Sequence, residues 1–221
     1  MLSYTERMYI FVDLDGTLFD TYRLGVDTSV LLEKEFHINP ETYEVTRQQM
    51  FEENNKVYSV RLHAMILAKR AGIDENSLVN RFIALFNQED SSRYVYDDSF
   101  PFLKACSSLG SVIILTYGED FVQTPRATKS GLRALVNDVI VTQDIKANII
   151  EKYFLEHHVN FNEKIALIDD SLEHLFGVKT QFPSAITIHL VRNQAMVTPP
   201  EHYRATSLTE AFSILQKNVR D

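Results

Sequence analysis

The stretch MYIFVDLDGTLFDT, residues 8–21, decides how the rest of the chain is interpreted. Its first five residues are mostly apolar and favour a β-strand. They run directly into two acids, Asp13 and Asp15, which are followed by Gly16 and Thr17. A short apolar run that is closed by polar residues and glycine is typical of a buried strand. The stretch therefore predicts a buried strand that ends in two neighbouring carboxylates.

Four later stretches have the same uninterrupted apolar character. None of them alternates between apolar and polar residues, so each strand is expected to be covered on both faces, as in a parallel sheet between layers of helices. These predicted strands cover 111–116, 138–143, 164–169 and 185–191. The pattern predicts an α/β fold built on a doubly wound parallel sheet.

Helical patterns separate the later strands, over 99–110, 142–158 and 207–217. Pro125 interrupts the stretch that follows the second strand, so the helix there is expected to be kinked or to begin late. The long segment after the first strand contains no convincing buried strand. Asn39 and Pro40 have the form of a helix N-cap and first turn, and Gly72 stops another apolar pattern.

This long segment is therefore expected to form about four helices inserted after the first strand. The predicted domains are an α/β core formed by 1–19 and 97–221 and a helical insert formed by 20–96.

The composition excludes several classes of protein. The chain has 221 residues, of which 45% are hydrophobic and 24% charged, as in ordinary globular proteins. A net charge of -8 does not suit a protein that coats nucleic acid, and no apolar run has the length of a membrane span. The N-terminal MLSYTER lacks a secretory pattern, and Cys106 is the single cysteine, so a cytoplasmic location without disulfides is expected.

Polar residues end or follow four of the predicted strands. Ligands of open parallel sheets bind at the carboxyl ends of the strands, so these side chains are expected to converge at one edge. They are Asp13 and Asp15, then Thr116, Tyr117 and Gly118, then Lys146, and finally Asp169 and Asp170.

Four carboxylates in one crevice repel one another unless a cation lies between them. A divalent hard cation takes oxygen ligands, and many carboxylates with few cysteines favour Mg²⁺ over zinc. Magnesium sites combine few protein ligands with water and phosphate oxygens. Lys146 and Thr116 would then hold the remaining phosphate oxygens, and a free carboxylate that faces the phosphoryl group can serve as a nucleophile.

The stretch DLDGTLFDT resembles the first motif of the haloacid dehalogenase (HAD) superfamily of phosphotransferases. The other elements follow in the family's order. ILTYG resembles the second motif, Lys146 resembles the lysine of the third, and IALIDDSLEHL resembles the acidic fourth motif. The resemblance covers roughly 6–19 and 97–216, and the helical insert resembles the family's small α-helical C1 cap. It implies a HAD-like Rossmannoid core with the first strand central, between 111–116 and 164–169.

The resemblance also implies roles for the matching residues. Asp13 would attack phosphorus and form an aspartyl-phosphate, and Asp15 would protonate the leaving oxygen and then activate water. Magnesium would be held by Asp13, by the backbone carbonyl of Asp15 and by an acid of the fourth motif, where Asp170 aligns better than Asp169. Phosphate would be bound by Thr116, Tyr117, Gly118 and Lys146.

The function implied by this resemblance is a Mg²⁺-dependent phosphatase that acts on a small phosphomonoester. The dehalogenases of the family lack an acid at the position of Asp15, so Asp15 favours phosphoryl chemistry. A phosphomutase and a non-catalytic binding protein on the same fold are the alternatives. The expected partner is a small phosphorylated molecule, with no nucleic acid and no membrane.

Several further residues are weaker candidates. Lys129 is the rival of Lys146 for the phosphate-binding lysine. Glu173 and His174 are interpreted as part of a solvated helical turn. Four residues of the insert are candidates for substrate contact, although a simple surface position explains each of them better. They are Arg23, Arg47, Arg61 and His63.

Overall fold

One parallel sheet organises the fold in a computed structural model, which describes residues 8–54, 57–87, 90–192 and 196–220. The strands in this part of the chain are β1 (Met8–Val12), β2 (Gly110–Tyr117), β3 (Asp138–Thr142), β4 (Lys164–Asp169), β5 (Ile186–Leu190) and β6 (Tyr203–Ala205). Their order in the sheet is β3-β2-β1-β4-β5-β6, and all neighbours are parallel. The predicted central position of β1, between β2 and β4, is confirmed, whereas β6 was not predicted. The stretch MLSYTER lies outside the described residues.

The central strand β1 is buried on both of its faces. Ile10 and Val12 point into one hydrophobic core, whereas Phe11 points into a second core on the opposite face, and none of the three is exposed to solvent. Burying one such side chain contributes on the order of 1.5–3 kcal/mol. Two buried faces explain why the strand shows no alternation of apolar and polar residues.

Helices cover both faces of the sheet. The helices after β1 are α1 (Thr21–Phe36), α2 (Pro40–Glu53), α3 (Val60–Ala71), α4 (Glu75–Phe86), α5 (Ser99–Cys106), α6 (Asp120–Lys129), α7 (Lys146–Glu156), α8 (Leu172–Gln181) and α9 (Leu208–Arg220). Residues of α5, α6 and α9 pack into one core, and residues of α7 and α8 pack into the other. The α/β fold class is thereby confirmed. None of the described helices combines the length and the apolar character needed to cross a membrane.

The inserted segment forms the four helices α1 to α4, as expected. Asn39 accepts a hydrogen bond from the backbone N–H of Thr42 at 2.7 Å, with Pro40 as the first residue of α2. Gly72 ends α3 in the left-handed region, with φ at 69°. The predicted helix start and stop are therefore correct, because these residue types satisfy backbone groups at helix ends.

Helix α6 contacts the insert through the backbone carbonyl of Phe121, which accepts no helical hydrogen bond because of Pro125. The helix begins at Asp120 and continues through Pro125, so the late start, one of the two predicted alternatives, is wrong. Proline has no N–H to bond the carbonyl four residues earlier, which is that of Phe121. The side-chain amide of Asn87, at the end of α4, donates to this carbonyl at 3.0 Å. Lys129 in turn donates to the carbonyl of Asn87 at 2.7 Å.

A second contact between α6 and the insert lies at the start of the helix. Glu119, the residue before α6, accepts hydrogen bonds from the hydroxyl of Ser59 and from the backbone N–H of Val60, both at 3.1 Å. Ser59 and Val60 form the beginning of α3, where unpaired N–H groups and the helix dipole favour a negative charge. Both ends of α6 therefore hold the α3–α4 pair against the core.

Candidate active site

The loop after β1 brings two acidic segments close together. The backbone N–H of Asp13 donates to the carbonyl of Ile168 at 2.9 Å and extends the pairing of β1 with β4. Gly16 follows with φ at 75°, which favours glycine. A Cβ at this position would overlap a carboxylate oxygen of Asp170. Glycine therefore permits both the turn and the close approach of Asp170.

Three carboxylates meet at the carboxyl ends of β1 and β4. Oxygens of Asp13, Asp169 and Asp170 lie within 4.8 Å of one another. Lys146, the first residue of α7, is fully buried beside them. Its ammonium group donates to Asp13 at 2.5 Å and to Asp169 at 2.7 Å. Lys146 offsets one of the three negative charges, and the remaining negative charge makes the site suited to a further cation.

Asp169 has donors on both of its oxygens. One oxygen accepts from the backbone N–H of Ser171 at 2.9 Å, and the other lies 3.1 Å from Nδ1 of His174 and also accepts from Lys146. Burial raises the pKa of Asp169, but Lys146 and His174 outweigh this effect and hold the pKa below its usual value. His174 is therefore part of the site, although its position in the sequence indicated only a solvated turn.

Asp13 and Asp170 differ from Asp169 in their electrostatics. Burial raises the pKa of Asp13 to about 7, against the opposing attraction of Lys146. Desolvation and the charges of Asp13 and Asp169 raise the pKa of Asp170 to about 8. The Asp170 side chain is nevertheless exposed, so we attribute its shift chiefly to the two neighbouring acids. Raised pKa values mark carboxylates that lack sufficient positive charge.

The carboxylate of Asp15 lies outside this group of three acids and faces α6. Its Oδ2 accepts from Nε2 of Gln123 at 2.6 Å, and its Oδ1 forms an ion pair with Arg126. Both α6 side chains are buried. Sequence reasoning missed them, because the contact joins residues far apart in the chain.

The predicted phosphate-binding residues Thr116 and Tyr117 end β2, the strand that pairs with β1, and Gly118 follows them. The hydroxyl of Thr116 is buried and has no hydrogen-bond partner in the part of the chain that the structure describes. Tyr117 donates to the carbonyl of Gln143 at 3.1 Å, and its ring stacks on His174. The N–H of Gly118 is already used by the carbonyl of Thr142. Thr116 is thus the residue of this segment with a free buried polar group.

The weaker candidates have other contacts. Lys129 binds the carbonyl of Asn87 rather than Asp13. His63 is fully buried inside the insert, and burial lowers its pKa to about 4, so it is neutral at neutral pH. Arg47 pairs with Glu44 at 2.6 Å. Arg23 donates to the backbone of Arg93, and Arg61 is exposed.

No protein-family model and no curated protein matches this sequence. Solved structures do match it. The HAD hydrolase YfnB from Bacillus subtilis, solved with bound magnesium, has a TM-score of 0.73 and 21% identity over 95% of this chain and 99% of its own. A HAD phosphatase from Thermococcus onnurineus has a TM-score of 0.64 and 19% identity over 94% and 97%.

A third similar structure is the L-2-haloacid dehalogenase from Xanthobacter autotrophicus, with a TM-score of 0.67 and 15% identity over 94% of this chain and 98% of its own. Phosphatase and dehalogenase chains therefore share this architecture, so the similarity concerns the fold and not the reaction. The agreement extends over nearly the whole length of each chain. The protein has the fold of the haloacid dehalogenase superfamily.

Proposed function

We propose that this protein is a Mg²⁺-dependent phosphatase that hydrolyses a small phosphomonoester through a phosphorylated Asp13. The observation that carries the proposal is the meeting of Asp13, Asp169 and Asp170 beside the buried Lys146, with Asp15 two positions after Asp13. The dehalogenases of this superfamily lack an acid at the position of Asp15. The second acid therefore favours phosphoryl transfer over dehalogenation.

The donor set fits magnesium. Asp169 is already bonded to Lys146, Ser171 and His174, whereas the Asp170 carboxylate makes no hydrogen bond or ion pair with any described residue. We assign the metal to Asp13, Asp170 and the backbone carbonyl of Asp15, all hard oxygen donors. When bound, Mg²⁺ would polarise the phosphoryl oxygens and offset their charge.

The first step is attack by a carboxylate oxygen of Asp13 on phosphorus. The bond between phosphorus and the leaving oxygen breaks as the new bond forms, and Asp15 gives a proton to that oxygen. Lys146 orients Asp13 through its bond of 2.5 Å. Thr116 has a buried hydroxyl that can donate to a phosphoryl oxygen.

In the second step, water attacks the phosphorus of the acyl phosphate. Asp15, which lost its proton in the first step, now accepts one from the attacking water. The bond from phosphorus to Asp13 breaks, which releases inorganic phosphate and restores the carboxylate. The insert would act as a cap that excludes bulk water during both steps.

A phosphate-release screen over a panel of small phosphomonoesters tests this proposal. At least one member should be hydrolysed with Mg²⁺, and chelation of the metal should slow the reaction by at least about 100-fold, because a Lewis acid contributes several kcal/mol. A parallel assay follows chloride release from 2-chloropropionate. Chloride release without phosphate release would contradict the proposal, and so would interconversion of sugar phosphates without free phosphate.

Magnesium should stabilise the protein more strongly as the pH rises. The pKa values of Asp13 and Asp170 are raised from 3.8 to about 7 and about 8. Between the ordinary and the raised pKa of each group, the folded state therefore binds more protons than the unfolded state. The free energy of unfolding without metal therefore falls as the pH rises through this range. Ionised Asp13 and Asp170 also bind the metal better.

Melting curves with and without Mg²⁺ measure this effect. At about 100 times the Kd, the Tm should rise by roughly 5–10 °C near pH 8.5 and by much less near pH 6. Asp170→Asn should abolish the difference, whereas Asp144→Asn, an exposed acid near the same sheet edge, should keep it. An equal Tm shift at both pH values would be evidence against the assigned ligands.

A further inference from the structure

Helix α6 holds the proposed proton-transfer residue through two buried side chains. Gln123 donates to one carboxylate oxygen of Asp15 at 2.6 Å, and Arg126 forms an ion pair with the other. Gln123 and Arg126 are only 4% and 3% exposed, whereas the Asp15 side chain is 32% exposed. Arginine is rarely this deeply buried unless it is paired. The pairing therefore accounts for the burial of Arg126.

The guanidinium of Arg126 is itself fixed by its surroundings. It lies 5.0 Å from the ring centroid of Phe19 and 5.9 Å from that of Phe86, and it donates to Oε1 of Gln123 at 3.1 Å. Phe19 belongs to the loop after β1, and Phe86 ends α4 of the insert. A planar guanidinium that contacts two aromatic rings and a side-chain amide has little freedom to turn. Arg126 is thus a rigid support at the boundary of the core and the insert.

We infer that Arg126, assisted by Gln123, is a positioning residue that sets the orientation of Asp15 for proton transfer. This inference rests on the proposed phosphatase function. One donor on each oxygen fixes both the rotation of the side chain and the plane of the carboxylate. Each oxygen keeps a second lone pair, and the exposed part of the group stays open to the crevice. Asp15 can then exchange a proton while the two donors hold it in place.

Arg126 could instead hold Asp15 away from the reacting atoms. For that role, removal of Arg126 is expected to change the rate in the opposite direction. Removing a support slows the reaction, because a shift of about 1 Å in a reacting group can cost about 100-fold in rate. Removing a restraint that withholds Asp15 accelerates it. An Arg126→Met variant that is faster than the wild type would therefore overturn the inference.

The choice of substrates separates positioning from general damage. The leaving oxygen of an alkyl phosphate needs a proton, whereas that of 4-nitrophenyl phosphate is a weak base and does not. The ratio kcat/KM reports the step in which this oxygen leaves, even where later hydrolysis of the phosphorylated Asp13 limits kcat. The comparison of kcat/KM for the two substrates is therefore the decisive measurement.

Arg126→Met should lower kcat/KM for the alkyl phosphate by about 100-fold and that for 4-nitrophenyl phosphate by less than about 5-fold. Asp15→Asn should show the same selectivity, and Arg126→Lys should recover part of the loss. Arg133→Met, an exposed arginine that bonds a backbone carbonyl, is the matched control and should leave both values unchanged. Equal losses for both substrates would mean that Arg126 is only structural.

A crystal structure of Arg126→Met gives a readout that needs no turnover. The Asp15 carboxylate should move by more than about 1 Å or lose its defined position. An unchanged carboxylate would refute the positioning role. If the wild type hydrolyses no member of the phosphomonoester panel, the proposed function fails, and this crystal structure alone decides the inference. If Arg126→Met does not fold, Gln123→Met and Arg126→Lys are measured in the same two ways and decide it.

Discussion

Asp13→Asn is expected to lose at least about 10⁴-fold in the rate of phosphate release, because the amide cannot act as the attacking group. The fold should remain intact, since asparagine has nearly the same shape and its oxygen can still accept from Lys146. Without metal near pH 8, the variant should melt at no lower temperature than the wild type. Burial raises the pKa of Asp13 to about 7, so the ionised form is unfavourable there.

Phosphate release and thermal melting are measured on the same preparation of Asp13→Asn. Asp144→Asn serves as the control, because Asp144 is an exposed acid just before α7, near the same edge of the sheet. Its activity should equal that of the wild type. Retained turnover in a well-folded Asp13→Asn protein would exclude Asp13 as the nucleophile.

Lys146→Met is expected to destabilise the metal-free protein by about 3–5 kcal/mol near pH 8, because it removes the shared partner of two buried carboxylates. Lys146 is not exposed to solvent, and it binds both Asp13 and Asp169. Without it, the pKa of Asp13 rises further above its value in the unfolded chain, and the pKa of Asp169 rises from its lowered value. The free energy of unfolding should then fall more steeply with rising pH than in the wild type, and the loss should shrink towards pH 6.

Urea unfolding of Lys146→Met at several pH values measures this effect, with a chelator present. Lys152→Met is the matched control on the same helix, because its ammonium lies 3.8 Å from Glu156 in a solvated pair. It should change the free energy of unfolding by less than about 0.5 kcal/mol at any of these pH values. A pH-independent loss in Lys146→Met would argue against the coupling with Asp13 and Asp169.

The sequence was sufficient to predict strands that are buried on both faces, but not the strand at the edge. Uninterrupted apolar runs identified β1 to β5, because a strand that is apolar on both faces must be buried between two layers of helices. In β6, only Ala205 is buried, and Tyr203 and Arg204 are exposed. A strand of three residues at a sheet edge has no local hydrophobic pattern, and its pairing with β5 depends on the rest of the fold.

Within the site, residues that follow strands were easier to predict than their partners on helices. The carboxyl ends of β1, β2 and β4 pointed to Asp13, Thr116 and Asp169 because parallel strands end at a common edge. Nothing in the local sequence of α6 indicates that Arg126 meets Asp15. An arginine near a proline in a polar helix is typical of a solvated surface, and only the tertiary fold brings the pair together.

Neighbouring acids present a further difficulty for sequence reasoning. Asp169 and Asp170 have identical side chains, and successive residues of a strand point in opposite directions. The structure distinguishes them through Lys146, Ser171 and His174, which bond Asp169 and leave Asp170 without such donors. This difference depends on which way each side chain points at the end of β4 and on where α8 begins. The amino-acid composition does not determine either.

The carbonyl that Pro125 leaves free has a consequence for substrate exchange. Asn87 is bonded to both Phe121 and Lys129 of α6, and α6 also carries Arg126. If the insert swings away from the sheet, it must either break these bonds or take α6 with it. In the second case, the movement of α6 takes Arg126 away from Asp15. Product release and the loss of the Asp15 orientation would then occur in the same movement.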